Sequence, residues 1–269
     1  MPNQQDSGAS LRILYAGAGG TKSAFTEKVA DYVASRPDYP ATLFQTLKQI
    51  SPPCENALVA DIGAGTGLLT RDLLKNGYRV VAVEPNPAMR QAADSLLGNT
   101  DGYRSVDGCA ESMPLSAGSV QLITAAQAFH WFEADRARTE FLRVLTAQGN
   151  VALVWNDWVP TDPVRVAFDQ ISQEFGGAKR AALQAHEDRQ YVPHFFGVTV
   201  PKQFTWPHAH FLDEAGLISL VFSRSYIPDR ATPEGQMVLN RVRALFNRFA
   251  VNGKVEVRYN TVAIIGRPG

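Results

Sequence analysis

The stretch Val59-Ala60-Asp61-Ile62-Gly63-Ala64-Gly65-Thr66-Gly67, with Glu84 one helix and one strand further on, constrains this chain most. It reads as an apolar strand ending in an acid, a glycine turn, a helix start, and a second strand ending in another acid. Glycine carries no Cβ, so such a turn bends sharply and a ligand can lie against bare amides. The following helix aims its unpaired N–H groups and the positive end of its dipole at the same spot. Glu84 is placed to accept two hydrogen bonds from a ribose diol, the way an adenosine-bearing cofactor is held in an open α/β sheet.

The spacing narrows the cofactor. A dinucleotide turn usually runs G-x-G-x-x-G, whereas this one runs G-x-G-x-G and has Asp61 two residues ahead of it. A carboxylate there would repel a pyrophosphate and suits a cationic amine and sulfonium. A plain connecting turn explains the glycines but neither acid. Asp61, Gly63, Ala64, Gly65 and Gly67, with Glu84, resemble the cofactor signature of class I S-adenosylmethionine-dependent methyltransferases.

The flanking pattern supports an α/β fold. Apolar strands are expected over 57–62, 79–84, 103–107, 120–126 and 150–155, with helices over 66–76, 87–97 and 133–145 between them. Such alternation argues for a doubly wound, mostly parallel, Rossmann-like sheet, which the resemblance extends to seven strands. Two further helices, over 25–35 and after Pro40, precede the first strand; Phe25 and Tyr32 share one stripe. Beyond Asn156 the alternation stops. Residues 157–197 read as a helical insertion capping the C-terminal edge of the sheet, 198–204 as a short strand, 211–223 as an amphipathic segment, 234–249 as a helix and 255–265 as a last strand. The expected organisation is a disordered extension over 1–20, a cofactor-binding core over 21–156, the insertion, and completion of the sheet over 198–269.

Composition weighs against several classes without excluding a nucleic-acid substrate. Net charge is zero, with 26 basic and 26 acidic residues, so no global field draws the chain to nucleic acid or membrane. The last fifth is mildly basic, which reads either as a solvated helix face or as attraction for an anionic substrate. Cys54 and Cys109 have no metal or redox spacing and suit reduced thiols in a cytoplasmic protein. Ala16 to Ser23 superficially suggests a phosphate loop, but Thr21 stands before Lys22 where glycine is required. His208 and His210 could share a metal on a strand, but no third ligand accompanies them or His186 and His194.

The resemblance spans about Phe25 to Arg267 and is similar in detail to the trans-aconitate methyltransferase-like group of small-molecule methyltransferases. It rests on Tyr32-x-x-x-Arg36-Pro37-x-Tyr39-Pro40, on Ala128-Phe129-His130-Trp131-Phe132, and on Arg224-Ser225-Tyr226-Ile227-Pro228. One departure is Gln121, where such strands usually carry aspartate. The resemblance implies S-adenosylmethionine as cofactor and a small acceptor, a carboxylate-bearing metabolite among the candidates. It places Pro85, Met89, Ala110 and Glu111 around the adenine, Gln127 near the methionine moiety, and Tyr32 and Arg36 over the cofactor carboxylate. His130, Tyr226 and Arg36 are candidates for the transfer cleft, His130 as a proton carrier or as a residue orienting Trp131. A tRNA-modifying methyltransferase and a non-catalytic cofactor-binding regulatory protein share these motifs; a dinucleotide oxidoreductase fits them less well.

Overall fold

The computed structural model describes residues 28–55, 57–186 and 189–269. The expected extension over 1–20 and Phe25 lie outside them. Two helices, α1 (Val29–Ser35) and α2 (Ala41–Ile50), precede the sheet. Then β1 (Leu58–Ile62), α3 (Leu68–Lys75), β2 (Arg79–Val83), α4 (Pro87–Leu97), β3 (Tyr103–Val106), β4 (Val120–Ala126), α5 (Ala134–Val144) and β5 (Leu145–Trp158) alternate. Three helices follow, α6 (Pro163–Phe175), α7 (Gly177–His186) and α8 (Val192–Phe196), and then β6 (Lys202–Leu212), α9 (Glu214–Phe222), α10 (Pro233–Phe249) and β7 (Val255–Gly266).

The seven strands form one sheet in the order β3-β2-β1-β4-β5-β7-β6. The pairs from β3 to β5 are parallel, and β7 runs antiparallel to both β5 and β6. The strand order reverses between β1 and β4, the switch point where ligands bind in such sheets. Central strands are apolar throughout because helices cover both faces; Val80 to Val83 and Val151 to Val154 are almost wholly buried. Asn86 caps α4 by accepting from the amides of Ala88 and Met89, with Pro87 in the first turn, as its sequence predicts.

Beyond β5 the structure corrects several expectations. The fifth strand extends back to Leu145, which pairs with Val120 of β4, and on to Trp158, which β7 pairs opposite Tyr259. The strand expected over 198–204 is β6, which pairs with β7 from Lys202 through Leu212. Pro207 lies inside it and is tolerated because β6 is an edge strand. The segment 211–223 is not one amphipathic unit. Phe211 and Leu212 close β6, Asp213 caps α9 through the Gly216 amide, and α9 buries Leu217, Ile218, Leu220, Val221 and Phe222. The helices of 157–197 are built into the protein's cores. Phe195 and Phe196 of α8 belong to the cluster around β1, β4 and α5, and Phe168 and Ile171 of α6 to the cluster beneath α9 and α10.

Candidate active site

The glycine turn sits at the switch point, and each glycine has its own reason. Gly63 (φ +65°) passes beneath the segment after β4, where a Cβ would come within 2.7 Å of Ala128 Cβ. Gly67 (φ +81°) lets α4 pack close, since a Cβ there would meet Leu97 Cδ1 at 2.8 Å. Gly65 (φ +57°) has nothing within 4 Å of its missing side chain, so the turn is open to a ligand there. The turn's amides are not bare. Gly63 and Ala64 donate to Val83 O at 2.9 and 3.3 Å, and Gly67 donates to Ala64 O at 3.0 Å. A ligand therefore meets the Cα face of the turn rather than these N–H groups.

Glu84 closes this arrangement. Its Oε2 accepts from the Gly65 amide and its Oε1 from the Asn86 amide, both at 2.8 Å. Burial raises its carboxyl above the ordinary value while these two amides oppose the rise. Each oxygen keeps a lone pair for a ribose hydroxyl. Arg90 holds the strand end by donating to Glu84 O at 2.5 Å.

A cavity of about 280 Å³ opens beside the turn, lined by Gly63, Gly65, Glu84, Pro85, Met89, Ala110 and Glu111 among others. Met89 and Ala110 are buried and present apolar surface. Glu111 is oriented by accepting the Glu133 amide at 2.7 Å. Trp131 and Phe132 face the same cavity.

Of the residues expected at the cofactor, Asp61, Ala64, Gly67 and Arg36 do not line it, nor do His130 and Tyr226. Ala64 and Gly67 serve the turn itself. Asp61 is 1% exposed, and its oxygens accept from Thr70 Oγ1 at 2.6 Å and Thr124 Oγ1 at 2.7 Å. Burial raises its carboxyl to about 6, with the threonine hydroxyls opposing. Asp61 thus pins β1 to β4 and α3 directly behind the turn.

A second cavity of about 220 Å³ adjoins the first, and Tyr32 and Gln127 line both. Gln127 has φ +55°, a strained setting for a side chain of its kind that clusters at functional sites. Its amide donates to Val154 O at 2.9 Å and its Nε2 to Asn156 O at 3.2 Å. His130 lines this second cavity, its ring 5.0 Å from that of Trp131. Arg36 lines it too, with its guanidinium 4.4 Å from the Tyr32 ring centroid. Tyr226 lines neither cavity; it packs against the α9–α10 core, near enough to Arg36 to favour its charge.

The segment bearing Tyr32 and Arg36 is tied down from several sides. Lys28 Nζ donates to Phe222 O and Ile227 O at 3.1 and 2.8 Å, and Asp31 pairs with Arg230. From β6, His210 contacts Ser35 O at 3.2 Å. Burial lowers the basicity of both His208 and His210. Among the described residues no group of three or more His, Cys, Asp or Glu is arranged to hold a metal.

The sequence reading missed several residues of the second cavity: Arg165, Arg189, Trp155, Trp158, Asp157 and Tyr259. Arg165 pairs with Asp169 at 2.7 Å. Arg189 pairs with Asp157 and stacks 4.2 Å from the Trp155 ring centroid. Of the basic residues near the C-terminus, Arg241, Arg243 and Arg258 pair with Glu174, Glu214 and Glu256; only Arg224 turns into this cavity.

Comparison with known proteins decides the family. Residues 60–153 match the methyltransferase domain family. An uncharacterized methyltransferase of Mycobacterium tuberculosis is 34% identical over 222 residues, 82% of this chain and 85% of the relative. The chain belongs to the class I S-adenosylmethionine-dependent methyltransferases. An uncharacterized methyltransferase-like protein of Schizosaccharomyces pombe is 28% identical over 246 residues, 89% of this chain and 93% of the relative. A candidate type II methyltransferase from Anaeromyxobacter dehalogenans superposes with a TM-score of 0.60 at 22% identity, covering 86% of this chain and 97% of that one. At that identity the superposition speaks for the fold, and it agrees with the seven-stranded sheet. No helix among the described residues is long and apolar enough to cross a membrane.

Proposed function

We propose that this methyltransferase transfers the methyl group of S-adenosylmethionine to a small, carboxylate-bearing acceptor held in the second cavity. The observation that carries this reading is the adjoining pair of cavities sharing Tyr32 and Gln127, with Arg36, Arg165, Arg189 and Arg224 lining the acceptor side. The subgroup resemblance and the absence of net charge favour a metabolite over tRNA.

The turn fits the cofactor, because the open face at Gly65 leaves space that a side chain would fill and Glu84 offers oxygens beside it. In this reading Glu84 binds the ribose diol, and Pro85, Met89, Ala110 and Glu111 frame the adenine. Gly63, Ala64, Gly65 and Gly67 shape the floor, with Asp61 supporting them from behind. Tyr32 and Gln127, which line both cavities, lie towards the methionine end, with Arg36 on the acceptor side of Tyr32. The bound cofactor supplies a methyl group already activated on a cationic sulfur. The protein's task is to align the acceptor and exclude water. The aromatic walls, Trp155 and Trp158, exclude water; the arginines orient the acceptor. His130 lines the acceptor side, where it takes a proton if the acceptor atom carries one.

Residues 157–197 act as the substrate-side insertion, contributing Arg165 and Arg189. The test is incubation with methyl-labelled S-adenosylmethionine and a metabolite extract, with mass spectrometry of the products. Labelled small acids support the reading; label confined to RNA overturns it.

A further inference from the structure

The acceptor cavity contains a cluster of unmet hydrogen-bond donors. Arg36 Nε, Trp158 Nε1 and Tyr259 OH are buried and have no hydrogen-bond partner within the protein. A guanidinium and an indole N–H can only donate, and a phenol donates readily. Leaving such groups buried and unmet is costly. Their complement is a group that only accepts.

The charges point the same way. Asp169 and Asp157 already answer Arg165 and Arg189. Arg36 has no carboxylate within ion-pair distance among the described residues. Burial lowers its basicity first and the nearby charge of Arg224 second, while the groups acting in its favour are the phenols of Tyr32, Tyr259 and Tyr226. Tyr259 in turn feels Arg224, Arg36 and Arg165. Its ring packs edge-on to Trp158 at 5.4 Å, and Arg224 lies 5.9 Å from the Trp158 ring centroid. The positive charge of Arg224, felt at Arg36, makes the surroundings of these unmet donors favourable to an anion.

Position distinguishes this cluster from the transfer point. Gln127, on the boundary of both cavities, bonds to Val154 O. Its side chain also donates to Asn156 O, and Trp158 lies two residues beyond Asn156 along β5, about 7 Å at the usual rise of a strand.

We propose that Arg36, Arg224, Trp158 and Tyr259 form a carboxylate subsite that anchors the acceptor by an anion remote from the atom receiving the methyl group. This rests on reading the second cavity as the acceptor site. In the transfer, a lone pair on the acceptor's other end forms the new bond to the methyl carbon as the carbon–sulfur bond breaks and leaves its pair on sulfur. The anchored carboxylate takes no part in that exchange and keeps its charge. An acceptor of this class therefore has two ends, an anion that is held and a nucleophile that reacts.

The experiment uses the full chain saturated with S-adenosylhomocysteine and titrated with succinate, glutarate and adipate, followed by tryptophan fluorescence and calorimetry. Inorganic phosphate and the corresponding diamides serve as controls. Saturable binding of a dicarboxylate, with the diamide inert, is the expected result. Tyr259→Phe, which removes one hydroxyl, should weaken that binding about tenfold, the scale of a hydrogen bond to a charged group, and leave S-adenosylhomocysteine affinity unchanged. Trp158→Phe provides an independent second variant. Three results overturn the subsite: no carboxylate binds although S-adenosylhomocysteine does; phosphate binds in place of carboxylates; or Tyr259→Phe weakens S-adenosylhomocysteine in equal measure, which would assign the donors to the cofactor's own carboxylate. Failure of the parent protein to bind S-adenosylhomocysteine at all would instead sink the cofactor site on which this rests.

Discussion

Glu84 Oε2 accepts the amide of Gly65 at 2.8 Å, so the acid at the end of β2 and the open residue of the glycine turn form a single unit. Glu84→Ala removes both a ribose acceptor and the partner of the Gly65 amide. S-adenosylmethionine affinity should fall by about 1–3 kcal/mol, the cost of unpairing a charged hydrogen-bonding group, as read by calorimetry. Unchanged affinity would remove Glu84 from the cofactor site.

Gly65→Ala and Gly67→Ala should separate binding from stability. Both impose a left-handed backbone on a side chain, at roughly 1–2 kcal/mol. At Gly65 the added methyl meets open space, so the main loss should be cofactor affinity. At Gly67 it meets Leu97 Cδ1 at 2.8 Å and Ala93 Cβ at 3.3 Å. There thermal unfolding should register the larger loss, about 2–4 kcal/mol with overpacking included.

Asp61 predicts a pH dependence. Its carboxyl lies at about 6 in the folded protein against an ordinary value of 3.8, so the folded form holds the proton more tightly. The stability this supplies is complete below the unfolded value and is lost as pH rises through about 6. Asp61→Asn cannot ionise. Its stability relative to the parent should therefore improve between about pH 4 and pH 8, by up to about 3 kcal/mol. Denaturant unfolding at both pH values checks this; a stability difference, Asp61→Asn minus parent, that falls with rising pH would contradict it.

Ionic strength separates a metabolite from a polynucleotide. A small acid held by a few charges should show a shallow dependence of KM on salt, whereas RNA contacts give a slope set by the number of counterions released. A steep slope, about four charges or more, would favour the RNA reading.

The cofactor side was legible because its chemistry is local in sequence. Asp61 to Gly67, Glu84 and the Asn86-Pro87 cap each sit at strand or helix ends whose period and punctuation announce them. The role of Asp61 was not legible, since Thr70 and Thr124 reach it only through the packing of α3 and β4. The same holds for the turn's amides, which β2 takes up. The acceptor side was largely hidden. Tyr259 occupies an alternating apolar face and reads as core, and it is core except for its hydroxyl. Trp158 reads as part of the helical insertion over 157–197, because only the pairing of β7 extends β5 to include it. Pro207 disguised β6 by interrupting what otherwise reads as a strand. The one available signal was position: aromatic and basic residues just past the C-terminal end of β5, where ligands gather in such sheets.

The placement of β7 between β5 and β6 has a consequence for how the enzyme comes into being. Everything framing the first cavity is encoded between Tyr32 and Glu133. β7 follows both β5 and β6 in sequence, so Tyr259 must slot between two strands already made. A growing chain can thus assemble the first cavity early, and completes the second only when β7 has emerged.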